Sequence, residues 1–572
     1  MDQLVDRSTD LSQPLDRLGP DETLKAESDQ LRGTINWSLL DPITGAVRPD
    51  DTKLLKFQGI YQQDDRDVRD ERRRQKLEPA FQFMARVRLP GGICTPEQWL
   101  RIDDLARRHG GGTLRMTTRQ TFQFHWLLKE NLRPTIQGLH EVLLDSVAAC
   151  GDDARGVMCS VNPHLSALHA ELGALAKAAS DSAVPRMRAY HEIWYGERRM
   201  ATSEPEEPFY GRTYMPRKFK IGFVLPPDND IDVYTQDLGY IAIVEDGQLV
   251  GFNVAIGGGM GRTDRVETTY PRLADVIGYI AKDRVHEVSR VVMCVQRDFG
   301  NRADRARARF KYTIDDKGLD WVKGEIERRL GFAFEPARDF HFTSNGDALG
   351  WSRGEDGRHH YTLFVENGRL GAGATMRAMD GLRAIAQIHE GTFRLTPNQN
   401  VVIAEIAPRA RAGIERLLEE YGLAGSEGRS ALRRNAMACV AFPTCGLAMA
   451  ESERYLPSLI DKLDVLLAQH GLTETPITLR MSGCPNGCSR PYVAEIALTG
   501  RAPGKYNLYV GGGVHGQRLN WMLRENIGEA DILQVLDGLF ARYAAERLPG
   551  EAFGDYVTRV PDRLTDEGEI PA

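Results

Sequence analysis

The stretch N-A-M-A-C-V-A-F-P-T-C-G at residues 435–446 and the stretch M-S-G-C-P-N-G-C-S-R-P at residues 481–491 decide how this chain is organised. They hold half of the chain's 8 cysteines, as the pairs Cys439 with Cys445 and Cys484 with Cys488. Pro485 fixes its own φ and lacks an N–H group, and Gly487 tolerates positive φ, so the second loop can fold back and direct both sulfurs to one point. Four convergent thiolates are typical of an iron–sulfur cluster or a zinc site.

Two other interpretations compete with metal ligation. A cysteine is often a small buried apolar residue, which is what we expect of Cys94, Cys150 and Cys294, and paired cysteines can form disulfides. The sequence begins M-D-Q-L-V-D-R-S-T, without the apolar stretch of a secretory signal, so we expect a cytoplasmic protein with reduced thiols. Because zinc ligands usually follow C-x2-C to C-x4-C spacing, the x5 and x3 spacings favour an iron–sulfur cluster.

Length and composition indicate an ordinary soluble protein of about three domains, since the 572 residues are 42% hydrophobic and 27% charged. No apolar run reaches about 18 residues, so we expect no membrane span. The formal net charge of −7 argues against nucleic acid as a partner, because proteins that follow phosphates usually carry excess lysine and arginine. Arginine is dense at residues 72–74 and 301–309, which predicts solvated faces or an anion-binding surface.

Local patterns predict a mixture of helices and strands. Residues 1–55 are polar with little apolar periodicity, which predicts a mobile N-terminal segment outside the core. The alternation from Ala85 to Leu89 predicts a strand, and Thr95-Pro96-Glu97-Gln98 predicts a capped helix start. Further helices are expected near residues 131–145, 164–179, 270–288, 318–330, 379–389, 410–421, 453–470 and 530–547. With β-rich runs between them, the fold class is α+β.

An internal repeat at a spacing of about 280 residues indicates duplication. L-R-M-T-T-R-Q-T at residues 114–121 recurs as F-R-L-T-P-N-Q-N at 393–400, and R-G-V-M-C-S-V-N-P at 155–163 recurs as N-A-M-A-C-V-A-F-P at 435–443. F-N-V-A-I-G-G-G at 252–259 recurs as Y-N-L-Y-V-G-G-G at 506–513. Two such copies packed together would have a pseudo-twofold axis and a shared cleft. Their triple-glycine turns could admit a flat cofactor close to the backbone.

The two copies differ in charge and in cysteine content. The first copy has M-P-R-K-F-K at residues 215–220 where we expect the counterpart of the C-x3-C loop, so one copy would bind metal and the other would present cations. A solvated surface is the usual place of a single lysine or arginine. A cluster at a cleft would bind a multiply charged anion and supply protons during its reduction. The candidates are Arg86, Arg115, Arg119, Arg155, Lys218 and Lys220.

With these residues the chain resembles the sirohaem-containing nitrite and sulfite reductases, over roughly residues 55–560. The motifs that carry the resemblance are C-x5-C, C-P-N-G-C and R-M-T-T-R-Q-T-F-Q-F-H at residues 115–125. Within that family it is most similar to the haemoprotein subunits of bacterial assimilatory sulfite reductases. The resemblance implies six-electron reduction of sulfite to sulfide in sulfate assimilation and cysteine biosynthesis.

The resemblance implies two cofactors and the residues that bind them. A [4Fe-4S] cluster would be held by Cys439, Cys445, Cys484 and Cys488, and Cys488 would also be the axial ligand of the sirohaem iron. The substrate-binding cations would be Arg86, Arg155, Lys218 and Lys220. Carboxylates of the sirohaem would be met by Arg115, Arg119, Gln120, Gln123, His125, Asn398 and Gln399. Lys220 favours sulfite as the substrate, because nitrite reductases of the family usually have asparagine there.

The repeat and the resemblance together predict an internally duplicated fold of five parts. These are a mobile segment (1–55), a ferredoxin-like half-domain (56–150), a cationic sirohaem-binding domain (151–335), a second ferredoxin-like half-domain (336–425) and a sirohaem-binding domain with the cysteines (426–572). The sequence contains no flavin or G-x-G-x-x-G nucleotide loop, so electrons would come from an NADPH-oxidising flavoprotein subunit, which the N-terminal segment would contact. The alternatives are a ferredoxin-dependent sulfite or nitrite reductase of the same fold, and a non-enzymatic zinc or iron–sulfur protein.

Overall fold

The computed structural model describes residues 18–161, 166–185, 192–195, 198–202, 207, 209–371, 376–425 and 428–561. Within these residues the strands form four five-stranded sheets and one two-stranded hairpin. No helix among them is both long enough and apolar enough to cross a membrane.

The N-terminal segment packs on the body of the protein from residue 18 onward. Its helices are α1 (Pro20–Glu27), α2 (Ile35–Leu40) and α3 (Pro49–Leu54). Leu31 and Leu54 are buried in the same apolar cluster as Phe57 and the residues of the first large domain. The prediction of a segment outside the core is therefore wrong for residues 18–55, because a few buried leucines anchor an otherwise polar stretch. Residues 1–17 lie outside the described residues.

Two α+β units of matching topology follow the same plan. The first contains β1 (Ile60–Asp64), α4 (Arg69–Arg74), β2 (Phe81–Arg86), β3 (Ile93–Cys94), α5 (Pro96–His109), β4 (Leu114–Met116), β5 (Phe122–Leu127) and α6 (Leu132–His140). The second is separated from it in sequence by one large domain. Thr95 and Gln98 form the predicted capping box at the start of α5.

The large domain between these units carries the first copy of the other repeated module. Its elements are β6 (Met158–Cys159), α7 (Ala167–Ser182), β7 (Glu192–Tyr195), β8 (Arg198–Thr202), β9 (Ile221–Val224), β10 (Leu238–Glu245), β11 (Gln248–Ile256), β12 (Asp275–Ala281), α8 (Val285–Phe299), α9 (Phe310–Lys317) and α10 (Leu319–Leu330). The helix expected at 270–288 is wrong, because D-V-I-G-Y-I-A at 275–281 is rich in β-branched and aromatic residues and forms β12.

The second half of the chain repeats both modules. The smaller unit contains β13 (Gly350–Arg353), β14 (His359–Leu363), β15 (Arg369–Leu370), α11 (Met376–Ile388), β16 (Thr392–Leu395), β17 (Val401–Ile406) and α12 (Arg411–Glu420). The larger unit contains α13 (Ala431–Arg434), β18 (Ala436–Ala438), α14 (Leu456–Gln469), β19 (Leu479–Ser482), β20 (Ile496–Ala502), β21 (Lys505–Val510), β22 (Trp521–Ile527), α15 (Glu529–Glu546) and α16 (Phe553–Arg559).

The two smaller units exchange a strand. Their sheets have the orders β1-β2-β5-β4-β15 and β13-β14-β17-β16-β3, so each sheet is completed by a short strand from the other half of the chain. Arg369 pairs with Arg115 in one sheet, and Phe393 pairs with Cys94 in the other. Trp99 stacks on Phe393 at 4.5 Å within one apolar core that both units share.

The two larger units have sheets of the same order and direction. In β12-β11-β10-β9-β6 and in β22-β21-β20-β19-β18, the last three strands are parallel to one another and the first two are antiparallel. The α+β class and the internal duplication are therefore confirmed.

This topology corrects the expected counterpart of the C-x3-C loop. Cys484 to Cys488 follow β19 and precede a short 3-10 helix, Pro491–Val493. In the first copy the segment in that place, after β9 and before the 3-10 helix Val233–Thr235, is P-P-D-N-D at residues 226–230. The M-P-R-K-F-K stretch at 215–220 instead precedes β9, so the lysines and the cysteine loop are not equivalent positions.

Candidate functional site

The two cysteine loops lie side by side at the end of the sheet that contains β18 and β19. The N–H group of Cys439 donates to the carbonyl of Met481 at 3.1 Å, and the N–H group of Gly483 donates to the sulfur of Cys439 at 3.2 Å. Met449, beyond the first loop, donates to the carbonyl of Gly483 at 2.7 Å. Adjacent parallel strands thus place the two pairs, which are distant in sequence, next to each other.

The four sulfurs are close enough to interact electrostatically. Burial, together with Cys439 and Cys488, raises the pKa of Cys445 to about 12. Burial, together with the other three thiols, also raises the pKa of Cys484. Among the described residues, no three His, Cys, Asp or Glu side chains converge tightly enough to hold a single metal ion. Four neighbouring thiols can provide one ligand to each iron of a polynuclear cluster.

Cys488 lies within electrostatic range of both the other thiols and a set of cations. It is the exposed member of the four cysteines, and its electrostatic field reaches the guanidinium groups of Arg155 and Arg309. The hydroxyl of Thr118 donates to the Cys488 carbonyl at 2.9 Å, so the loop is tied to the turn that follows β4. A ligand bound in the cationic site would therefore lie near Cys488.

The cationic site brings together the predicted residues Arg155, Lys218 and Lys220 with Arg309. The N–H group of Arg155 donates to the Phe219 carbonyl at 2.7 Å, which places this arginine beside the two lysines. Within the part of the chain that the structure describes, none of these four side chains forms an ion pair, and the buried Nε of Arg155 has no hydrogen-bond partner. Such a group of unpaired cations is expected to bind a multiply charged anion.

The cations alter one another's acidity. Burial, then Arg155 and Arg309, hold the pKa of Lys218 well below its usual value. Burial and Arg119 lower the pKa of Lys220 to about 7, against the opposing effect of Asp237. A lysine with a pKa near neutrality can take up and release a proton at physiological pH.

Three further cations of this site were missed by sequence reasoning. Burial and Arg305 lower the pKa of Arg217 to about 10, and burial and Arg309 lower that of Lys311 to about 6. Arg309, the third, ends the arginine-dense stretch at 301–309, for which an anion-binding surface was one of two interpretations. The other arginines of that stretch pair with carboxylates instead, for example Arg302 with Glu22.

Arg86 stands at the edge of the cationic site. Its Nη1 lies 3.1 Å from the Ala149 carbonyl and 2.9 Å from the sulfur of Cys150, which is buried as predicted. Its charge also reaches Tyr61, whose pKa burial raises to about 12. The predicted role of Arg86 in substrate binding remains a prediction.

The repeated turns after β4 and β16 have the same backbone and different side chains. Gln120 and Gln399 both have positive φ, of 53° and 72°, and both donate their N–H group to a threonine carbonyl three residues earlier. Arg119 donates to Gln236 and to the Gly156 carbonyl, whereas the equivalent Asn398 donates to Asp347 and to the Asn345 carbonyl. The first turn therefore carries a cation, and the second carries an amide already bound to protein.

The glutamines of these turns serve the fold. Gln120 is fully buried, its Nε2 donates to the carbonyls of Cys159 and Leu395, and its Oε1 accepts from the Cys159 N–H. The amide of Gln120 is therefore saturated by backbone, and its predicted contact with cofactor carboxylates remains a prediction. Gln399 donates to the Asn367 carbonyl at 3.1 Å, and its Oε1 has no described partner. The cofactor-contact roles of Gln399 and of Asn398 remain predictions.

Three other predicted cofactor contacts lie on β4 and β5. Arg115 is buried, is ion-paired with Glu453 and donates to the Ala438 carbonyl, so it lies on the cysteine side of the site. His125 is buried, with Nδ1 3.4 Å from the Thr444 hydroxyl, and burial with Arg369 and Arg115 keeps its pKa well below the usual value. Gln123 is buried opposite Arg115 on the paired strand. Their cofactor contacts remain predictions.

Arg66 was also missed, and it holds the first cysteine loop from outside. Its N–H group donates to the Pro443 carbonyl at 3.1 Å, its Nη1 donates to the carbonyls of Cys445 and Ala448, and its guanidinium lies 4.4 Å from the centre of the Phe442 ring. The charged residues around Arg66 did not predict this contact, because the cysteine loop that Arg66 binds lies far away in sequence.

The triple-glycine turns are explained by packing. A Cβ on Gly258 would lie 2.1 Å from the Tyr234 carbonyl oxygen, and one on Gly512 would lie 2.2 Å from that of Ala494. Close backbone packing thus explains why glycine is needed here, without the flat cofactor that was expected to lie against these turns.

The residues present fit the cofactors that the resemblance implies. The unpaired cations Arg155, Lys218, Lys220 and Arg309 provide countercharges for a polycarboxylated tetrapyrrole and a small oxyanion. The four neighbouring thiols provide the ligands for a cluster. Cys488 adjoins both sets, which a thiolate shared by cluster and haem requires.

Comparisons with known proteins bear on the family and the fold. The family model of the nitrite/sulfite reductase ferredoxin-like half domain matches residues 74–142 and 352–421. The model of the nitrite and sulphite reductase 4Fe-4S domain matches residues 176–334. That range holds none of the four cysteines of the two pairs. The two large units have the same topology, which explains why a model named for the 4Fe-4S domain matches the unit that carries the cations.

Proteins named sulfite reductase (NADPH) hemoprotein beta-component are similar over nearly the whole chain. The one from Nitrosomonas eutropha is 68% identical, covering 97% of this chain and 96% of its own. The one from Staphylococcus saprophyticus is 55% identical, covering 95% and 96%. The solved structure of the Mycobacterium tuberculosis NirA protein superposes with a TM-score of 0.76, covering 96% of this chain and 97% of its own at 22% identity, and so shows a shared fold.

Proposed function

We infer the function from one premise, that the chain belongs to the nitrite and sulfite reductase family and, within it, to the sulfite reductase hemoprotein beta-components. It is an enzyme that reduces sulfite to sulfide with a sirohaem and a [4Fe-4S] cluster. We propose that Cys439, Cys445, Cys484 and Cys488 would hold the cluster, with Cys488 also a ligand of the haem iron, and that Arg86, Arg155, Lys218 and Lys220 bind the substrate.

The observation that carries this assignment is the position of Cys488. Its thiol lies within electrostatic range of the three other cysteines and also of Arg155 and Arg309. When bound, the coupled cofactors would supply six electrons to the sulfur of sulfite.

The cations of this chain would perform two tasks during the reduction. Arg155 and Lys218 would hold the sulfite oxygens and withdraw electron density from the S–O bonds, because charge placed in advance stabilises the developing negative oxygen. Lys220, with a pKa of about 7, would donate a proton as an oxygen leaves as water. Arg309 would keep the anion in place and cannot release a proton at neutral pH.

The absorption spectrum tests the proposed function directly. We expect visible haem bands that shift when sulfite is added, and about five iron atoms per chain with acid-labile sulfide. A colourless protein that contains zinc would contradict the reductase assignment and support the non-enzymatic alternative. Turnover with a purified NADPH-oxidising flavoprotein, compared with turnover with reduced ferredoxin, would distinguish the two classes of donor.

A surface on the N-terminal segment is suited to the flavoprotein partner. Trp37, Leu40 and Ile43 are 68%, 61% and 91% exposed. Leu77 and Leu128 are also exposed, and the loop of Ile43 is anchored beside them through Glu78 and Lys129. We call these five apolar residues the N-terminal apolar patch. Clustered exposed apolar side chains commonly mark protein interfaces.

Substitution in the patch would test this partner contact. We expect Ile43→Asp to lower sulfite turnover at least tenfold with the flavoprotein as donor and to leave turnover with a small chemical reductant unchanged. Val465→Asp is the matched control, since Val465 is 58% exposed on α14 in the opposite half of the chain. Equal turnover of the two variants with the flavoprotein would place the contact elsewhere.

A further inference from the structure

Asp232 and Arg490 occupy equivalent positions in the two large units. Each follows the loop after an equivalent strand, precedes a 3-10 helix, and adopts a left-handed backbone, with φ of 49° and 53°. Each donates its N–H group to the carbonyl three residues earlier, that of Asn229 or of Gly487. The internal duplication therefore brings the same backbone position of each copy to this place.

The two residues carry opposite charges and contact each other. The buried carboxylate of Asp232 accepts from Nε of Arg490 and from Nη1 of Arg480, the latter at 2.6 Å. Had the two copies kept identical residues here, two like charges would face each other, which is unfavourable in a buried site. An ion pair at this place requires two different residues, so only copies that differ here can form it.

Arg490 also holds the segments that flank the proposed active site. Its Nη1 donates to the Thr118 carbonyl at 2.6 Å, and its Nη2 donates to the Pro397 carbonyl at 3.2 Å. Thr118 in turn donates through its hydroxyl to the Cys488 carbonyl. One guanidinium thus links both repeated turns, and it belongs to the residue two positions after Cys488.

We propose that Asp232 and Arg490 are positioning residues for the Cys488 thiolate, with Arg480 completing the buried ion group. Asp232 orients the guanidinium of Arg490, and Arg490 fixes the Cys488 loop against the turn that carries Arg119. This inference rests on the proposed function, because it concerns the thiolate assigned there as the bridge between cluster and haem.

Arg490→Lys tests the proposal because it separates charge from position. Lysine can keep the ion pair with Asp232, but it lacks the fork of donors that reaches both the Thr118 and Pro397 carbonyls. Arg302→Lys is the matched control, since Arg302 is also buried, pairs with Glu22 and donates to the Tyr214 and Arg297 carbonyls away from the cysteines. Both variants are purified as holoprotein beside the unaltered chain.

The measurements are the electron paramagnetic resonance of the haem, acid-labile sulfide content, sulfite turnover and the thermal unfolding midpoint. We expect both variants to lose similar thermal stability. Only Arg490→Lys should show an altered or heterogeneous haem signal, and it should lose at least tenfold in turnover. Asp232→Asn should show the same haem change more weakly, because the amide keeps the shape of the carboxylate.

Two results would overturn the proposal, and they are distinguishable. A haem signal of Arg490→Lys identical to that of Arg302→Lys would show that Arg490 contributes stability alone, with the proposed function intact. An unaltered chain without haem bands or labile sulfide would refute the proposed function and this inference with it.

Discussion

The two large units share one strand order and differ in what they place at its end. The second unit presents four cysteines, while the first presents Arg155, Lys218 and Lys220, none of which forms an ion pair among the described residues. At the position equivalent to Cys488 the first unit has Asp230, which is fully buried and bonded to Ser160 and Val161. Duplication therefore supplied two frameworks that could diverge, one toward thiolate ligands and one toward a cationic pocket. The comparison teaches that the site needs both copies, because one copy supplies the thiolates proposed for electron transfer and the other supplies the cations proposed to bind the substrate.

Cys488→Ser should break the cysteine copy most severely. A serine hydroxyl is a poor ligand for iron, so the link between cluster and haem would be lost and sulfite turnover should fall below detection. Turnover with a chemical reductant and the magnetic coupling between cluster and haem measure this. The control is Cys294→Ser, a buried cysteine on α8 of the other large unit. Retained six-electron activity would refute the bridging role.

Lys218→Ala and Arg155→Ala should damage the cationic copy with the cofactors retained. Each removes charge stabilisation worth about 3 kcal/mol, which corresponds to roughly a hundredfold loss in kcat/KM for sulfite. Iron content and the visible spectrum should stay unchanged. Lys505→Ala, an exposed lysine of β21 in the other copy, is the control. Unchanged kinetics in both variants would place these residues outside the substrate pocket.

Lys220 should make sulfite binding depend on protons. Burial and Arg119 lower its pKa to about 7, so above that pH the amine is largely neutral in the free protein. A bound anion favours the ammonium form, so sulfite binding at pH 8 should take up protons and weaken as pH rises. Titration calorimetry in two buffers of different ionisation enthalpy measures the uptake. Sulfite binding to the Lys220→Arg variant should take up fewer protons than binding to the unaltered protein, by at most about one proton, because arginine stays charged. Equal proton uptake by the two proteins would contradict the assignment.

Arg66→Ala should have the smallest effect and should act on the cysteine copy alone. It removes hydrogen bonds to Cys445 and Ala448 and the ring contact with Phe442, together worth about 1–3 kcal/mol. We expect a lower thermal midpoint and faster loss of acid-labile sulfide on storage. Arg69→Ala is the control, since the one ion pair that Arg69 forms among the described residues is with Asp64 on the same segment. Equal rates of sulfide loss would show that Arg66 does not support the loop.

Local chemistry in the sequence predicted much of this molecule. The capping box at Thr95, most helices and the duplication are visible because they depend on neighbouring residues or on self-similarity. The cysteine pairs were found from spacing, and Lys218 and Lys220 from their place in the repeat and the resemblance.

Features set by distant contacts were not predictable in the same way. The packing of residues 18–55 depends on Leu31 and Leu54 entering a core built mostly from residues beyond 150. The engagement of Gln120 by the carbonyls of Cys159 and Leu395 joins three separate segments. Arg309 was ambiguous because its neighbours in the arginine-dense stretch pair with carboxylates that sequence alone does not place beside them.

The exchange of β3 and β15 between the two smaller units bears on how the protein folds. Arg369 must find Arg115, and Phe393 must find Cys94, before either sheet is complete. Each pairing closes a loop of several hundred residues, and such high contact order slows folding. During synthesis the first sheet must wait for its last strand until most of the chain has left the ribosome. The cofactors would therefore be inserted late, into a molecule whose halves have already become inseparable.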